Sequence, residues 1–489
     1  MNHPNILCFV TDHQRADHLG CYGNRDVQTP NIDRLAREGV TFQHAFVANP
    51  KSRPNRASLV TGLYPKVHGV CEDGIPLNPA MPLLPDLLRR AGYQTASFGK
   101  LHLAPYAVNA GREMALHEIV ETPEFWAEHA NLPTPYAGFE TVYLTGGHGP
   151  ETFGHYLHDV GRDVSALLQK EHALERPAKA RDTWKAGIDP ADHYVTRIAD
   201  QTIHYVKEHV RGGGDRPFFI WCSFPDPHAP YAPPAPYCDF YDPQALRVNP
   251  ARRLGEFESL PSYFGARHNS EQRAMPIEDD HLREIYAHVY GLISLIDGQI
   301  GRVVSAVEAL GLLDTTLITF MSAQGDLLGD HWLFGDGPFL FESLVKVPLI
   351  WRLPGAGRGS RVSWTHVSAV DFAPTILDCA GIKAPASMQG ESYRAVLTME
   401  RARAREQVYI ECDAACLQDR LRQLRTEQWA ITFYTNSSHG LLYNLEDDPL
   451  ELYNMWDDPA HRGVKAELLQ ELLRESTRAD SRLPASSRP

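Results

Sequence analysis

Apolar residues fall in short runs, and polar, turn-forming residues separate them at nearly regular intervals. The run Ile6-Leu7-Cys8-Phe9-Val10 has the continuity of a strand buried on both faces. Residues 29–39 open at Pro30 and close at Gly39, which punctuates a helix, and 40–47 read as the next strand. A short helix is predicted over 57–63, another over 82–91 and a strand over 93–98. Residues 189–210 put Ile198, Ile203 and Val206 on one helical face, and 217–224 form the strongest buried strand. Across 282–310, Val289, Ile293, Ile296, Ile300, Val303 and Val307 recur at three- or four-residue steps, a core-facing stripe. A strand over 316–321, an apolar run at 347–351 and a helix within 366–381 follow. After about residue 400 the pattern becomes strand-rich (408–411, 429–434, 441–445), then helical over 457–475, and the last residues read as disordered. The expectation is an α/β fold with a mostly parallel central sheet flanked by helices over 1–400. A smaller α+β unit with an antiparallel sheet and terminal helix is expected over 401–489.

Composition narrows the function classes. The chain has 489 residues and a net charge of −14, which argues against a nucleic-acid partner. No apolar run is long enough to cross a bilayer, and the start of the chain lacks a signal-peptide pattern. The eight cysteines show no zinc-type pairing: Cys412 and Cys416 lie four apart without a second pair. They read as reduced thiols of a cytoplasmic protein. Residues 104–190 are rich in Gly, Pro and His, including Gly146-Gly147-His148-Gly149 and Gly154-His155-Tyr156, and read as a pocket-shaping insertion. Oligomeric state is left open, with a homo-oligomer among the options.

Candidate chemistry collects at strand ends, where open α/β sheets place their sites. Ser52, Pro54 and Arg56 form a Ser-x-Pro-x-Arg element at the start of a helix. Free backbone N–H groups, a hydroxyl and a guanidinium there suit a tetrahedral oxyanion; an N-cap serine beside a surface arginine is the plainer alternative. Asp12 ends the first strand as a metal ligand or a turn residue. Lys100 and His102 alternate onto one face, suiting anion binding and proton transfer, and His228 sits on a proline-stiffened loop after the 217–224 strand. Ser322-Ala323-Gln324-Gly325-Asp326 ends the 316–321 strand, with Asp330, His331 and Asp336 beyond it.

Taken together and in order, these motifs resemble the sulfatase family of the alkaline phosphatase superfamily, on the branch of arylsulfatases and phosphonate monoester hydrolases. The resemblance rests on Pro4-Asn5-Ile6-Leu7 through Thr11-Asp12, on Ser52-Arg53-Pro54-Asn55-Arg56 through Thr61-Gly62, and on Gly99-Lys100-Leu101-His102-Leu103. It continues through Pro227-His228-Ala229-Pro230-Tyr231, Gly325-Asp326-Leu327-Leu328-Gly329-Asp330-His331 and Leu442-Tyr443-Asn444-Leu445-Glu446-Asp447-Asp448-Pro449. It implies an alkaline phosphatase-like fold and a sulfate or phosphate/phosphonate ester substrate, a small anionic molecule. It further implies Ser52, or a formylglycine made from it, as nucleophile and Arg56 as its stabiliser. Lys100 would contact a substrate oxygen, His102 the nucleophile's hydroxyl, and His228 the leaving group or the substrate anion. Asp12 would ligate a divalent metal, usually Ca²⁺ or Mg²⁺, with Mn²⁺ in some relatives.

Three positions depart from that pattern. Ala323 and Gln324 stand where the family carries two metal ligands; His13 replaces a frequent second aspartate; Asp336 replaces a lysine. Asp12 remains as a ligand and Gln324 offers one neutral oxygen, so the expected metal site is weak or absent. The expectation is that Asp12 and Asp336 balance Arg56 and Lys100 in a nearly neutral pocket, and that His102 or His228 acts as base. Two other readings are a metal-independent transferase on the same scaffold and a non-catalytic binder of an anionic ligand.

Overall fold

The computed structural model describes residues 3–78, 80–103, 134–146, 154–177, 180–248, 250–274, 278–355, 360–414 and 418–480. Much of the insertion, including Gly147-His148-Gly149, lies outside the described residues, as do Cys416 and the last nine residues.

Eight strands form the central sheet: β1 (Asn5–Thr11), β2 (Val40–Phe46), β3 (Gln94–Gly99), β4 (Thr141–Leu144), β5 (Phe218–Ser223), β6 (Thr316–Ser322), β7 (Leu349–Arg352) and β8 (Arg361–Ser368). Their order is β4-β3-β5-β1-β6-β7-β2-β8. Only β7 is antiparallel to its neighbours, so the sheet is mostly parallel, as the alternation of elements predicts. The continuous apolar runs follow from burial on both faces. Along β1, Ile6, Cys8 and Val10 face one core, while Leu7 and Phe9 face the other. The first core receives the helices Ser52–Thr61, Leu84–Arg90 and Phe372–Cys379; the second receives Pro30–Glu38, Tyr194–Arg211 and Asp279–Ala309. All six residues of the predicted stripe on the last of these helices are buried in that second core.

A second, antiparallel sheet has the order β12-β11-β10-β9, from β9 (Gln407–Ala414), β10 (Asp419–Thr426), β11 (Trp429–Tyr434) and β12 (Leu441–Asn444). The helix Arg462–Asp480 packs beside it. Three strands had no counterpart in the hydrophobic pattern, β4, β8 and β10. In β10 the inward positions include Gln423 and Arg425, which hide the alternation. Arg425 is buried because Glu451 (2.6 Å) and Glu342 (2.8 Å) neutralise it. β8 carries Arg361, Ser363 and Thr365 among its apolar residues and stands at the sheet edge. The helix Ser52–Thr61 starts at Ser52, where the Ser-x-Pro-x-Arg element puts the helix N-terminus.

Candidate active site

Strands β1, β3, β5 and β6 run parallel, so their C-terminal ends converge. β1 delivers Asp12 and His13, β3 delivers Lys100 and His102, β5 delivers Asp226 and His228, and β6 delivers Gln324 and Asp326. At the end of β3, Gly99 has φ +95°, and a Cβ there would meet the Ser223 carbonyl oxygen at 1.9 Å. Only glycine lets the chain turn Lys100 inward at that point.

The helix Ser52–Thr61 is buried along its whole length, and Ser52 is its first residue. Asn49 Oδ1 accepts from Lys51 N–H (2.9 Å) just ahead of it. Asn55 locks the turn to both neighbouring strands: Oδ1 accepts from Ala48 N–H (2.8 Å) and Nδ2 donates to the Ala323 carbonyl (2.5 Å). Gly62, left-handed at φ +66°, closes the helix by donating to the Ser58 carbonyl.

Ser52 Oγ is the focus of the site. Arg56 Nε donates to it at 3.1 Å, His102 Nδ1 lies at 3.3 Å, and Ser52 Oγ donates to Asp12 Oδ1 at 3.2 Å. Arg56 is fully buried; its other nitrogens reach the Lys100 carbonyl (2.9 Å), Ser223 Oγ (3.0 Å) and Asp12 Oδ1 (3.3 Å). Lys100 Nζ pairs with Asp12 Oδ2. His102 Nε2 receives a hydrogen bond from Arg53 Nη2 at 2.9 Å. Arginine can only donate, so the proton of the neutral ring is on Nδ1 and points at Ser52. The expectation of His102 as base towards Ser52 is not met in this arrangement: the neutral ring donates from Nδ1 towards Ser52 Oγ, and Asp12 Oδ1 is the acceptor for the Ser52 hydroxyl. Burial, then the charges of Lys100, Arg53 and Arg56, hold His102 well below its ordinary pKa. Burial also lowers Lys100, with Arg56 adding to the effect and Asp12 opposing it.

A second group lies beside the first. His13 Nδ1 bonds Asp326 Oδ2 at 2.7 Å, and its Nε2 stands 3.8 Å from Asp336 Oδ2. The His13 and His228 rings meet edge to face, 4.0 Å between centroids. Tyr231, on the His228 loop, reaches Asp326 Oδ2 at 3.5 Å. Burial alone would depress His13, but its bond to Asp326 and the charges of Asp326, Asp336 and Asp12 outweigh that and raise its pKa. Asp336 therefore faces His13, and the balance of charge is wider than the four groups expected. Arg53, Arg56 and Lys100 oppose Asp12, Asp326 and Asp336.

Asp226 was not singled out by its sequence context. Its Oδ1 accepts from Tyr194 O–H at 2.6 Å, its carbonyl accepts from Asp12 N–H, and burial pushes its pKa up to about 7. Arg53 was also missed, although it stands inside the Ser-x-Pro-x-Arg element. No pattern marked either, because their partners are distant in the chain.

The chain matches the Sulfatase family model over residues 4–382 and the model for the N-sulphoglucosamine sulphohydrolase C-terminal region over residues 329–478. It belongs to the sulfatase family, within the alkaline phosphatase superfamily. It is 28% identical to an arylsulfatase of Clostridium perfringens, covering 92% of this chain and 90% of that one. It is 26% identical to an N-acetylglucosamine-6-O-sulfatase of Bacteroides thetaiotaomicron, covering 97% and 86%. Among solved structures, a phosphonate monoester hydrolase of Agrobacterium radiobacter superposes with a TM-score of 0.79 at 27% identity, covering 97% and 96%.

Enzymes of this family generally use a divalent metal and a formylglycine. A Ca²⁺ or Mg²⁺ ion requires several oxygen ligands. Ala323 supplies none, and both oxygens of Asp12 already bind Ser52, Arg56 or Lys100. Gln324 is fully buried with neither amide atom hydrogen-bonded among the described residues. These residues do not fit the family's hard-cation cage. No helix among the described residues is long and apolar enough to cross a membrane.

Proposed function

We propose that this protein hydrolyses a sulfate or phosphonate monoester of a small anionic substrate, with Ser52 or a formylglycine derived from it supplying the attacking oxygen. The observation that carries the reading is the convergence on Ser52 Oγ of two donors, Arg56 Nε and His102 Nδ1, and one acceptor, Asp12 Oδ1. The acceptor takes the hydroxyl proton as the oxygen bonds to sulfur or phosphorus. The two donors stabilise the charge on that oxygen. The ester bond to the alcohol breaks, and the alcohol leaves with a proton held at His228. Lys100, paired with Asp12 Oδ2 in this structure, contacts a non-bridging substrate oxygen. Asp336, partly exposed beside His13, contributes to substrate binding. Water then releases the sulfate or phosphonate anion.

Arylsulfatase and phosphonate monoester hydrolase relatives set the substrates to try: 4-nitrophenyl sulfate and 4-nitrophenyl phenylphosphonate. Ser52→Ala should lower kcat by at least about 10³-fold while binding of inorganic sulfate or phosphate stays within several-fold. Unchanged turnover in Ser52→Ala, or no turnover of either ester by the wild type, would reject the reading; the latter, with anion binding intact, leaves a binding protein. The mass of the Ser52 peptide decides between serine and formylglycine.

A further inference from the structure

The strand order sets β5 between β3 and β1. Asp226, just past the end of β5, therefore stands between the strand that delivers Lys100 and the strand that delivers Asp12. We propose that Asp226 is a positioning residue for Lys100: its second carboxylate oxygen takes the ammonium once Asp12 has received the proton of the attacking hydroxyl. This role rests on the ester cleavage proposed above.

Main-chain bonds keep the three groups in register. Lys100 N–H donates to the Ser223 carbonyl (2.9 Å), and Asp12 N–H donates to the Asp226 carbonyl (3.2 Å). Asp226 is 0% exposed. Its Oδ1 accepts from Tyr194 O–H at 2.6 Å, and its Oδ2 has no hydrogen-bond partner among the described residues. A buried carboxylate oxygen without a partner is costly, and a cation that can reach it removes the cost. The charges that act on this carboxylate are those of Lys100, which favours its ionised form, and Asp12, which opposes it. Tyr194 opens the helix Tyr194–Arg211, so the anchor of Asp226 lies outside the group that reacts.

The need for a second seat follows from the chemistry at Ser52. In this structure Lys100 Nζ pairs with Asp12 Oδ2. As the attacking oxygen bonds to sulfur or phosphorus, its proton passes to Asp12, which becomes a neutral acid. The Lys100 ammonium then loses its counter-ion inside a buried pocket, an arrangement of high energy. Asp226 supplies a replacement carboxylate from the neighbouring strand. Lys100 thus stays charged beside the non-bridging substrate oxygens while the bond to the alcohol breaks. One proton moves from the nucleophile to Asp12 and the ammonium shifts from Asp12 to Asp226; both movements reverse when the proton leaves Asp12.

The test compares Asp226→Asn with Tyr194→Phe in the intact chain. Asparagine keeps an acceptor for Tyr194 and removes the charge, whereas phenylalanine removes the anchor and keeps the charge. With 4-nitrophenyl sulfate or 4-nitrophenyl phenylphosphonate, Asp226→Asn should lower kcat by at least about 10-fold and change KM less. The same variant should bind inorganic sulfate at least about 3-fold more tightly in calorimetry, because Asp226 no longer competes with the anion for the ammonium. Slower turnover with tighter anion binding is a signature that a displaced loop does not give. Tyr194→Phe should keep kcat within about 3-fold of the wild type. In a Lys100→Met background, Asp226→Asn should alter kcat and sulfate affinity by less than about 2-fold, since its effect passes through the ammonium. Unchanged kcat in Asp226→Asn, a loss in Tyr194→Phe as large as that in Asp226→Asn, or an undiminished effect of Asp226→Asn without Lys100 overturns the proposal. Sulfate binding is read without turnover. If the wild type cleaves neither ester, the proposed function fails, and the sulfate measurements still decide the pairing: loss of the Asp226→Asn effect in Lys100→Met upholds it, and additivity rejects it.

Discussion

His193 titrates the anchor of the active-site loop. It is the N-cap of the helix Tyr194–Arg211: Nδ1 accepts from Val195 N–H at 3.3 Å, and the ring packs on Tyr194 with centroids 4.2 Å apart. The residue is 1% exposed, and burial pushes its pKa down to about 3. Protonation would charge a buried ring and destroy the acceptor that caps the helix. The next residue, Tyr194, holds Asp226 on the loop that carries His228. A folded pKa below the unfolded value of about 6.5 means that the contribution is complete above 6.5 and is lost as pH falls towards 3. Each unit is worth about 1.4 kcal/mol, so moving from pH 7.5 to pH 5.0 costs on the order of 2 kcal/mol through this ring. His193→Asn keeps a capping oxygen and cannot titrate. Packing lost with the ring affects both pH values and cancels in the comparison. Other buried histidines, such as His68 with its pKa lowered to about 3, are common to both proteins. Urea unfolding followed by tryptophan fluorescence at the two pH values gives four free energies. The wild type should lose about 2 kcal/mol more than His193→Asn on acidification. Equal losses within about 0.5 kcal/mol would refute the assignment of His193 as a neutral cap.

Arg56→Lys keeps the charge but cannot reach Ser52, Ser223, the Lys100 carbonyl and Asp12 together; kcat/KM for the proposed ester should fall by at least about 10²-fold, checked by steady-state kinetics on folded protein. Asn55→Ala leaves Ala48 N–H and the Ala323 carbonyl without partners in a buried turn, and should cost about 2–4 kcal/mol in denaturant unfolding. Ala323→Asp with Gln324→Asn supplies the missing oxygen ligands; Ca²⁺ at about 100 times its dissociation constant should then stabilise the double variant by ~2.7 kcal/mol and leave the wild type unmoved. Thermal unfolding with and without Ca²⁺ checks it.

The central strands were legible because burial on both faces demands apolar runs, as in Phe218–Ser223, and because a solitary stripe such as Val289 to Val307 admits one helical reading. The motif residues Ser52, Arg56, Lys100 and His102 were legible as types that handle oxyanions, and the structure brings all four into one hydrogen-bonded group with Asp12. β10 was not legible, since a buried arginine reads as a surface residue until Glu342 and Glu451 are seen beside it.

By itself the sequence determined which side chains stand at the ends of the parallel strands, since strand direction and length follow from local apolar pattern and turn residues. It also determined that Ala323 offers no ligand atom, whatever the fold. Only the tertiary structure decided how these groups are paired. Hydrogen-bond polarity at His102 depends on Arg53, and the orientation of His13 depends on Asp326, 313 positions away. Proton position is a property of such contacts, formed where four strand ends meet, and no local pattern encodes it.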